Sequence, residues 1–238
     1  MLKILEVYFL LFISYAFMGW CMEVICKLIQ YKRFINRGFL IGPYCPIYGY
    51  GALAITILLK KYVNDPIILF VMSTIICSII EYFTSYFMEK AYHARWWDYS
   101  NKKYNINGRI CLETMIPFGI LGMIIMYFIN PFLYSLYLKI PAVLLHIIAA
   151  LLFITYIVDN AISSQIVKGL KVEGKKLEKD NTEEITEKVK EILRNKSLLH
   201  RRLINAYPNL KDIHIKIKEK AKKKKEKIEK KIKNIGNK

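Results

Sequence analysis

Ile67-Ile68-Leu69-Phe70-Val71-Met72-Ser73-Thr74-Ile75-Ile76-Cys77-Ser78-Ile79-Ile80-Glu81-Tyr82-Phe83-Thr84-Ser85-Tyr86-Phe87-Met88 holds a single charge, Glu81, in an otherwise apolar, aromatic or small-polar run. A helix rises about 1.5 Å per residue, so about 20 mostly apolar residues cross a hydrocarbon core about 30 Å thick. Three more runs have that length: Val7 to Ile25, Ile110 to Ile129 and Ile140 to Ile162. A shorter one, Ile47 to Leu59, follows Gly38-Phe39-Leu40-Ile41-Gly42-Pro43-Tyr44-Cys45-Pro46. It reads as a spanning helix entered through a broken or re-entrant segment at the membrane surface. The pattern predicts an all-α, polytopic membrane protein with about five transmembrane helices.

Composition divides the chain in two. The 238 residues combine a formal net charge of +18 with a hydrophobic fraction of 54%, extremes that rarely share one soluble domain. Residues 1–167 are apolar with sparse charge and form the expected transmembrane domain. Residues 168–238 are rich in charge, nearly lack aromatics, and form a basic, mostly helical tail. The first apolar run is too long for a signal peptide, Glu6 offsets Lys3, and no small-x-small cleavage site follows, so it reads as a retained helix. Cys21, Cys26, Cys45, Cys77 and Cys111 form no C-x-x-C pair. They read as small buried hydrophobes rather than a disulfide or metal site.

Charge sets the expected topology, because basic loops stay in the cytoplasm. Lys27, Lys32, Arg33 and Arg37 follow the first helix; Lys90, Arg95, Lys102, Lys103 and Arg109 follow the third; the tail is richer still. The other side carries only Lys3, Lys60 and Lys61 near Asp65, and Lys139. Five spans satisfy this bias with the N-terminus outside and the C-terminus cytoplasmic, in the cell membrane. Four or six would force a basic segment outside.

Helix direction then gives depth. Glu23, Glu81, Glu89, Glu113 and Asp159 all fall in or beside the cytoplasmic half, and His146 is the main ionisable group elsewhere. Charges in a bilayer are costly and usually face a bundle interior or wet cavity, so the expectation is a polar pocket opening to the cytoplasm. Glu81, Ser85 and Glu89 share one helix face by their spacing of four. Arg95, Trp97, Asp98, Asn107 and Arg109 come from the following loop, where Asn107-Gly108 is a turn signal that delivers Arg109 to the next helix. A guanidinium there could grip a carboxylate or a phosphate at two points.

Each candidate has a plainer reading. Glu23 with Lys27 is equally an intrahelical ion pair at the interface. Glu89 reads better as a solvated residue at the membrane edge. Trp96 and Trp97 suit an aromatic belt with Arg95 as anchor, which leaves Asp98 unexplained. Glu81 is deepest and has no cation one turn away, so it should pair across elements, with Arg109 or Arg95 the natural partner; a binding role and a structural polar core remain equally open. His146 reads as a buried, hydrogen-bonded residue.

Gly169 to Lys176 nearly matches the phosphate-loop pattern, but Lys176 stands where the magnesium-holding Ser/Thr belongs, and a membrane helix precedes it where a strand is required. There is no H-E-x-x-H and no nucleophile elbow. No metal, cofactor or ATPase activity is expected of this chain. In the tail, Thr182-Glu183-Glu184 opens an amphipathic helical stretch and Pro208 ends a second. The lysine-rich remainder reads first as a solvated tail and second as a segment drawn to anionic lipid. Nucleic-acid binding is weaker, for want of aromatics.

Several segments together resemble one family: Gly38-Phe39-Leu40 with Gly42-Pro43 and Pro46-Ile47-Tyr48-Gly49; Glu81 with Thr84, Ser85 and Glu89; Trp96-Trp97-Asp98-Tyr99-Ser100; and Asn107-Gly108-Arg109-Ile110. The set is similar to the CmpB family of type IV ABC-transporter permeases, and Arg201-Arg202 with Tyr207-Pro208 resembles its tail segment. The resemblance implies transport with an ATPase on another polypeptide. It assigns no catalytic residue. Three functional expectations follow: a permease-like subunit, a membrane-embedded binder or enzyme of lipid headgroups, and a structural or assembly protein.

Overall fold

The computed structural model describes residues 2–32, 34, 36, 38, 40–92 and 96–177, with the backbone alone for 31, 92 and 166–177. The expectations for Arg95 and for the tail beyond Leu177 lie outside the described residues. In chain order the elements are α1 (Leu2–Tyr31), α2 (Pro46–Leu58), α3 (Pro66–Tyr92), β1 (Asn105–Ile106), β2 (Ile110–Cys111), α4 (Leu112–Ile124), α5 (Asn130–Lys139) and α6 (Ala142–Leu177). Among the described residues four helical stretches are long and apolar enough to cross a membrane: Leu2–Gln30, Pro66–Ala91, Leu112–Lys139 and Ala142–Gln165. The helix α2 is also apolar but has only 13 residues, about 20 Å at 1.5 Å per residue.

The chain divides into two compact units, Met1–Phe87 with Trp97–Ser163, and Met88–Trp96 with Ser164–Lys238. All packing described below belongs to the first. One core joins Val7, Leu10, Leu11 and Tyr15 of α1 to Ala52 of α2 and Leu145 of α6. Those α1 positions recur at the helical period, so one face of the helix is buried. A second core joins Ile55 of α2 and Leu59 to Leu69 of α3 and Met126.

Local chemistry places the helix ends. Asp65 Oδ1 accepts hydrogen bonds from the Ile67 and Ile68 backbone N–H at 3.1 and 3.0 Å. Together with Pro66 in the first turn it caps α3. Pro46 opens α2 in the same position. Between α4 and α5 a π-helical turn spans Ile125–Ile129. Pro131 follows it, and a proline ring would meet the carbonyl four residues back in a regular helix. The widened turn relieves that conflict, and the Asn130 N–H reaches back to Ile125 O. The helices then approach through glycine. A Cβ on Gly49 would fall 2.7 Å from the Phe12 backbone oxygen, and one on Gly122 2.4 Å from Ser73 Cβ. Close approach at small residues is how helices associate where lipid removes the hydrophobic drive.

The helix α6 continues for 36 residues, past the point where the apolar run stops. Gly169 to Lys176 lies inside it, so the phosphate-loop lookalike is helical.

Candidate functional site

Polar side chains gather at two ends of the first unit. At one end Lys3 Nζ donates to the carbonyls of Leu138 and Ile140 at 3.1 and 3.3 Å. His146 Nδ1 meets Glu6 Oε2 at 2.5 Å. The histidine is hydrogen-bonded as its isolation on an apolar helix suggested, but it is not buried, its side chain being 41% exposed. The other end holds the carboxylates of Glu23, Glu81 and Asp159.

Glu81 is only 6% exposed. Its Oε1 accepts from the Tyr99 hydroxyl at 3.2 Å, and its Oε2 faces Thr114 Oγ1 at 3.5 Å. The expected ion pair with Arg109 is not what forms. Arg109 Nη1 donates instead to Ser85 Oγ at 3.3 Å, one turn along α3. Its guanidinium lies over the Tyr82 and Tyr86 rings, 5.7 and 5.4 Å from their centroids. A flat, weakly hydrated cation gains from aromatic faces as well as from carboxylates, and Tyr82, Ser85 and Tyr86 together hold Arg109 on their own face of α3.

The loop that delivers these groups is built by Asn107 and Gly108. Both have positive φ, 52° and 65°, and the Arg109 N–H bonds to Ile106 O at 3.0 Å. This is the mirror-image turn that Asn-Gly favours, and it pairs Asn105 with Cys111 and Ile106 with Ile110. Asn107 Nδ2 donates to the Tyr82 hydroxyl at 2.9 Å, tying the turn to α3. Trp97 Nε1 donates to Arg109 O at 3.0 Å, and the Tyr99 N–H donates to Gly108 O at 2.8 Å. The segment after α3 thus runs beside the hairpin and brings the Tyr99 phenol to Glu81. Burial raises the Tyr99 pKa, and the neighbouring Glu81 carboxylate and then Glu23 raise it further. The phenol stays protonated and remains a donor.

Glu23, half-buried on α1, accepts from the Tyr48 hydroxyl at 2.7 Å. Lys27, the partner expected for it, donates to Gln30 at 2.8 Å. Two candidates stand apart from Glu81. Glu113 is exposed and pairs with Lys102 at 2.7 Å, which raises the Lys102 pKa. Asp98 is exposed and accepts from the Ser100 N–H and hydroxyl at 3.0 and 2.5 Å, an Asx-type turn. That accounts for the aspartate an aromatic belt left unexplained. Glu89 belongs to the second unit, half-buried near the end of α3.

Depth along the chain places Asp159 toward this end, and the structure supplies its partners. The residue is 7% exposed. Oδ1 accepts from the Ile41 N–H and the Ser163 hydroxyl, each at 2.9 Å; Oδ2 accepts from the Gly42 N–H at 2.8 Å and the Tyr44 hydroxyl at 2.6 Å. Four donors on two oxygens suit an ionised carboxylate, which accepts only. Asp159 therefore holds the Gly-Pro segment against α6. Nearby, Ile13, Phe17, Met18, Pro43, Leu133 and Tyr156 help line a cavity of about 560 Å³ that is mostly apolar, and none of the candidate site residues borders it. Among the described residues no group of three or more His, Cys, Asp or Glu side chains could hold a metal ion.

Among the described residues, four membrane-length apolar helices that approach through glycine define a polytopic α-helical membrane protein. The sequence model of the CmpB family, described as "Putative ABC-transporter type IV", matches residues 10–164, and the chain belongs to this family. No curated protein and no solved structure matches it.

Proposed function

We propose that the chain is the permease-like subunit of a transporter whose ATPase is a separate polypeptide, and that the polar group of its cargo engages the cluster around Glu81. The single observation that carries this reading is a buried carboxylate in a membrane-length helix, met only by hydroxyls among the described residues. A carboxylate needed solely for packing would be stabilised best by a full cationic or multi-donor partner, as Asp159 is by its four donors. The positive-inside bias supports five spans, with α2 crossing, the N-terminus outside and the cluster open to the cytoplasm. The basic tail would then lie against the cytoplasmic leaflet, where anionic lipid attracts it.

Arg109, held one turn along α3 from Glu81, also favours a second reading, a site for lipid headgroups, since the two residues offer one charge of each sign without pairing with each other. One experiment separates the two. The tagged, full-length protein is purified in mild detergent and its stoichiometric companions are identified by mass spectrometry. An ATPase polypeptide supports the permease reading. Anionic or zwitterionic lipid alone overturns it in favour of the second.

A further inference from the structure

Thr114 Oγ1 accepts from the Cys111 N–H at 3.4 Å, lies 3.8 Å from Cys111 Sγ, and has one hydroxyl proton for two nearby oxygen acceptors. Cys111 O lies 2.9 Å from its Oγ1 and Glu81 Oε2 lies 3.5 Å away. The shorter contact takes the proton, so Thr114 turns a lone pair, not a hydrogen, toward the carboxylate. Glu81 is then left with the 3.2 Å bond from Tyr99, although an ionised carboxylate has about four acceptor sites. Ser78 lies three residues earlier on the same face of α3. It is 4% exposed, and its Oγ has no hydrogen-bond partner. Oxygens from Glu81, Tyr99 and Thr114 thus meet with only the Tyr99 proton directed at the carboxylate, and Ser78 adds an unpartnered buried hydroxyl about one turn earlier on α3. The negative charge of Glu23 reaches the same phenol. An oxygen-lined, proton-poor, buried site has the chemistry that replaces the hydration shell of a hard cation.

We propose that this cluster binds a compact monovalent cation, an alkali ion or a protonated primary amine, with the Glu81 carboxylate as its charged ligand and the Tyr99 and Thr114 oxygens as neutral ones. The proposal rests on reading the cluster as a binding site, but it needs no ATPase and can fail separately. Arg109 is held one turn away by Ser85, Tyr82 and Tyr86 and leaves the position beside Glu81 to the ligand.

The test uses the full-length protein in mild detergent with choline chloride at fixed ionic strength. Choline is replaced stepwise by sodium, potassium or methylammonium chloride. Dicyclohexylcarbodiimide, which modifies carboxyl groups in apolar surroundings, is added, and modification of the Glu81 peptide is read by mass spectrometry. With the right cation at about ten times its Kd, the modification rate falls about tenfold, as mass action on one site requires. Protection by sodium or potassium identifies an alkali site, and protection by methylammonium alone identifies an amine site. Equal modification under all four salts overturns the proposal, whether or not an ATPase copurifies. As a second measurement, the same cation raises the melting temperature of the wild type. Tyr99→Phe with Thr114→Val, which keeps Glu81, weakens that rise; an undiminished rise removes the hydroxyls from the site.

Discussion

Asp159→Asn tests how the Gly-Pro segment is held. The change keeps the shape of the side chain and replaces one acceptor oxygen by an NH2 group. If the NH2 takes the Oδ1 position, it faces the Ile41 N–H and the Ser163 hydroxyl; at Oδ2 it faces the Gly42 N–H and the Tyr44 hydroxyl. A hydroxyl can rotate and accept, but a backbone N–H cannot. Either orientation therefore leaves one backbone donor against another donor. The remaining bonds lose their charge assistance, from about 1.5–3 kcal/mol each toward about 0.5–1.5 kcal/mol. Removing a charge from a site 7% exposed returns part of this. The net cost comes to about 2–4 kcal/mol. A domain of this size loses about 2–4 °C of melting temperature per kcal/mol, so the variant should melt roughly 5–15 °C lower. Cys45 supplies a local readout, since it is 6% exposed and its N–H bonds to Ala16 O. Its alkylation by N-ethylmaleimide should accelerate, while that of the already exposed Cys26 should not. Unchanged melting together with unchanged Cys45 labelling would refute the view that Asp159 holds this segment.

Two neighbouring glycines should behave in opposite ways. Gly49→Ala drives a Cβ to 2.7 Å from a backbone oxygen that cannot yield and should cost about 1–3 kcal/mol. Gly51→Ala meets only Cys77 Sγ at 3.4 Å and should gain up to about 1 kcal/mol of helix propensity; thermal melting of both in detergent checks the contrast. Gly108→Ala forces a side chain onto φ 65°, costs about 1–2 kcal/mol, and should speed tryptic cleavage at Lys102 and Lys103; equal cleavage would mean that the turn tolerates a Cβ. Glu113→Gln breaks only the exposed pair with Lys102, so the melting temperature should stay at the wild-type value and be insensitive to salt. A marked loss would return Glu113 to the site.

What could be read from the chain was what run length and local spacing encode. The four long helices follow from uninterrupted apolar runs, and the turn at Asn107-Gly108 follows from a dipeptide that accepts positive φ. The gathering of Glu23, Glu81 and Asp159 toward one end followed from helix direction alone. Partner choice could not be read in the same way. Arg109 was expected on Glu81 because opposite charge is the strongest signal in a sequence, yet it lies on Tyr82, Tyr86 and Ser85. The hydroxyls of Tyr99 and Thr114 carry no charge and no period, and nothing in their spacing assigns them to Glu81. Asp159 and Ile41 are 118 residues apart, and a bond from backbone N–H to carboxylate leaves no trace in residue type at the donor end.

The same distinction explains why the two buried carboxylates point to different roles. Asp159 meets two backbone donors and two hydroxyls at 2.6–2.9 Å. A charge so well met is stabilised where it stands, and moving it would forfeit every bond at once. Glu81 is as deeply buried but has its described contacts at 3.2 and 3.5 Å, one of them to a hydroxyl already committed elsewhere. Burial without compensation is the costly condition, and a bound cation would remove that cost. Asp159 therefore belongs to the scaffold, and Glu81 is the carboxylate whose stability should depend on what binds it.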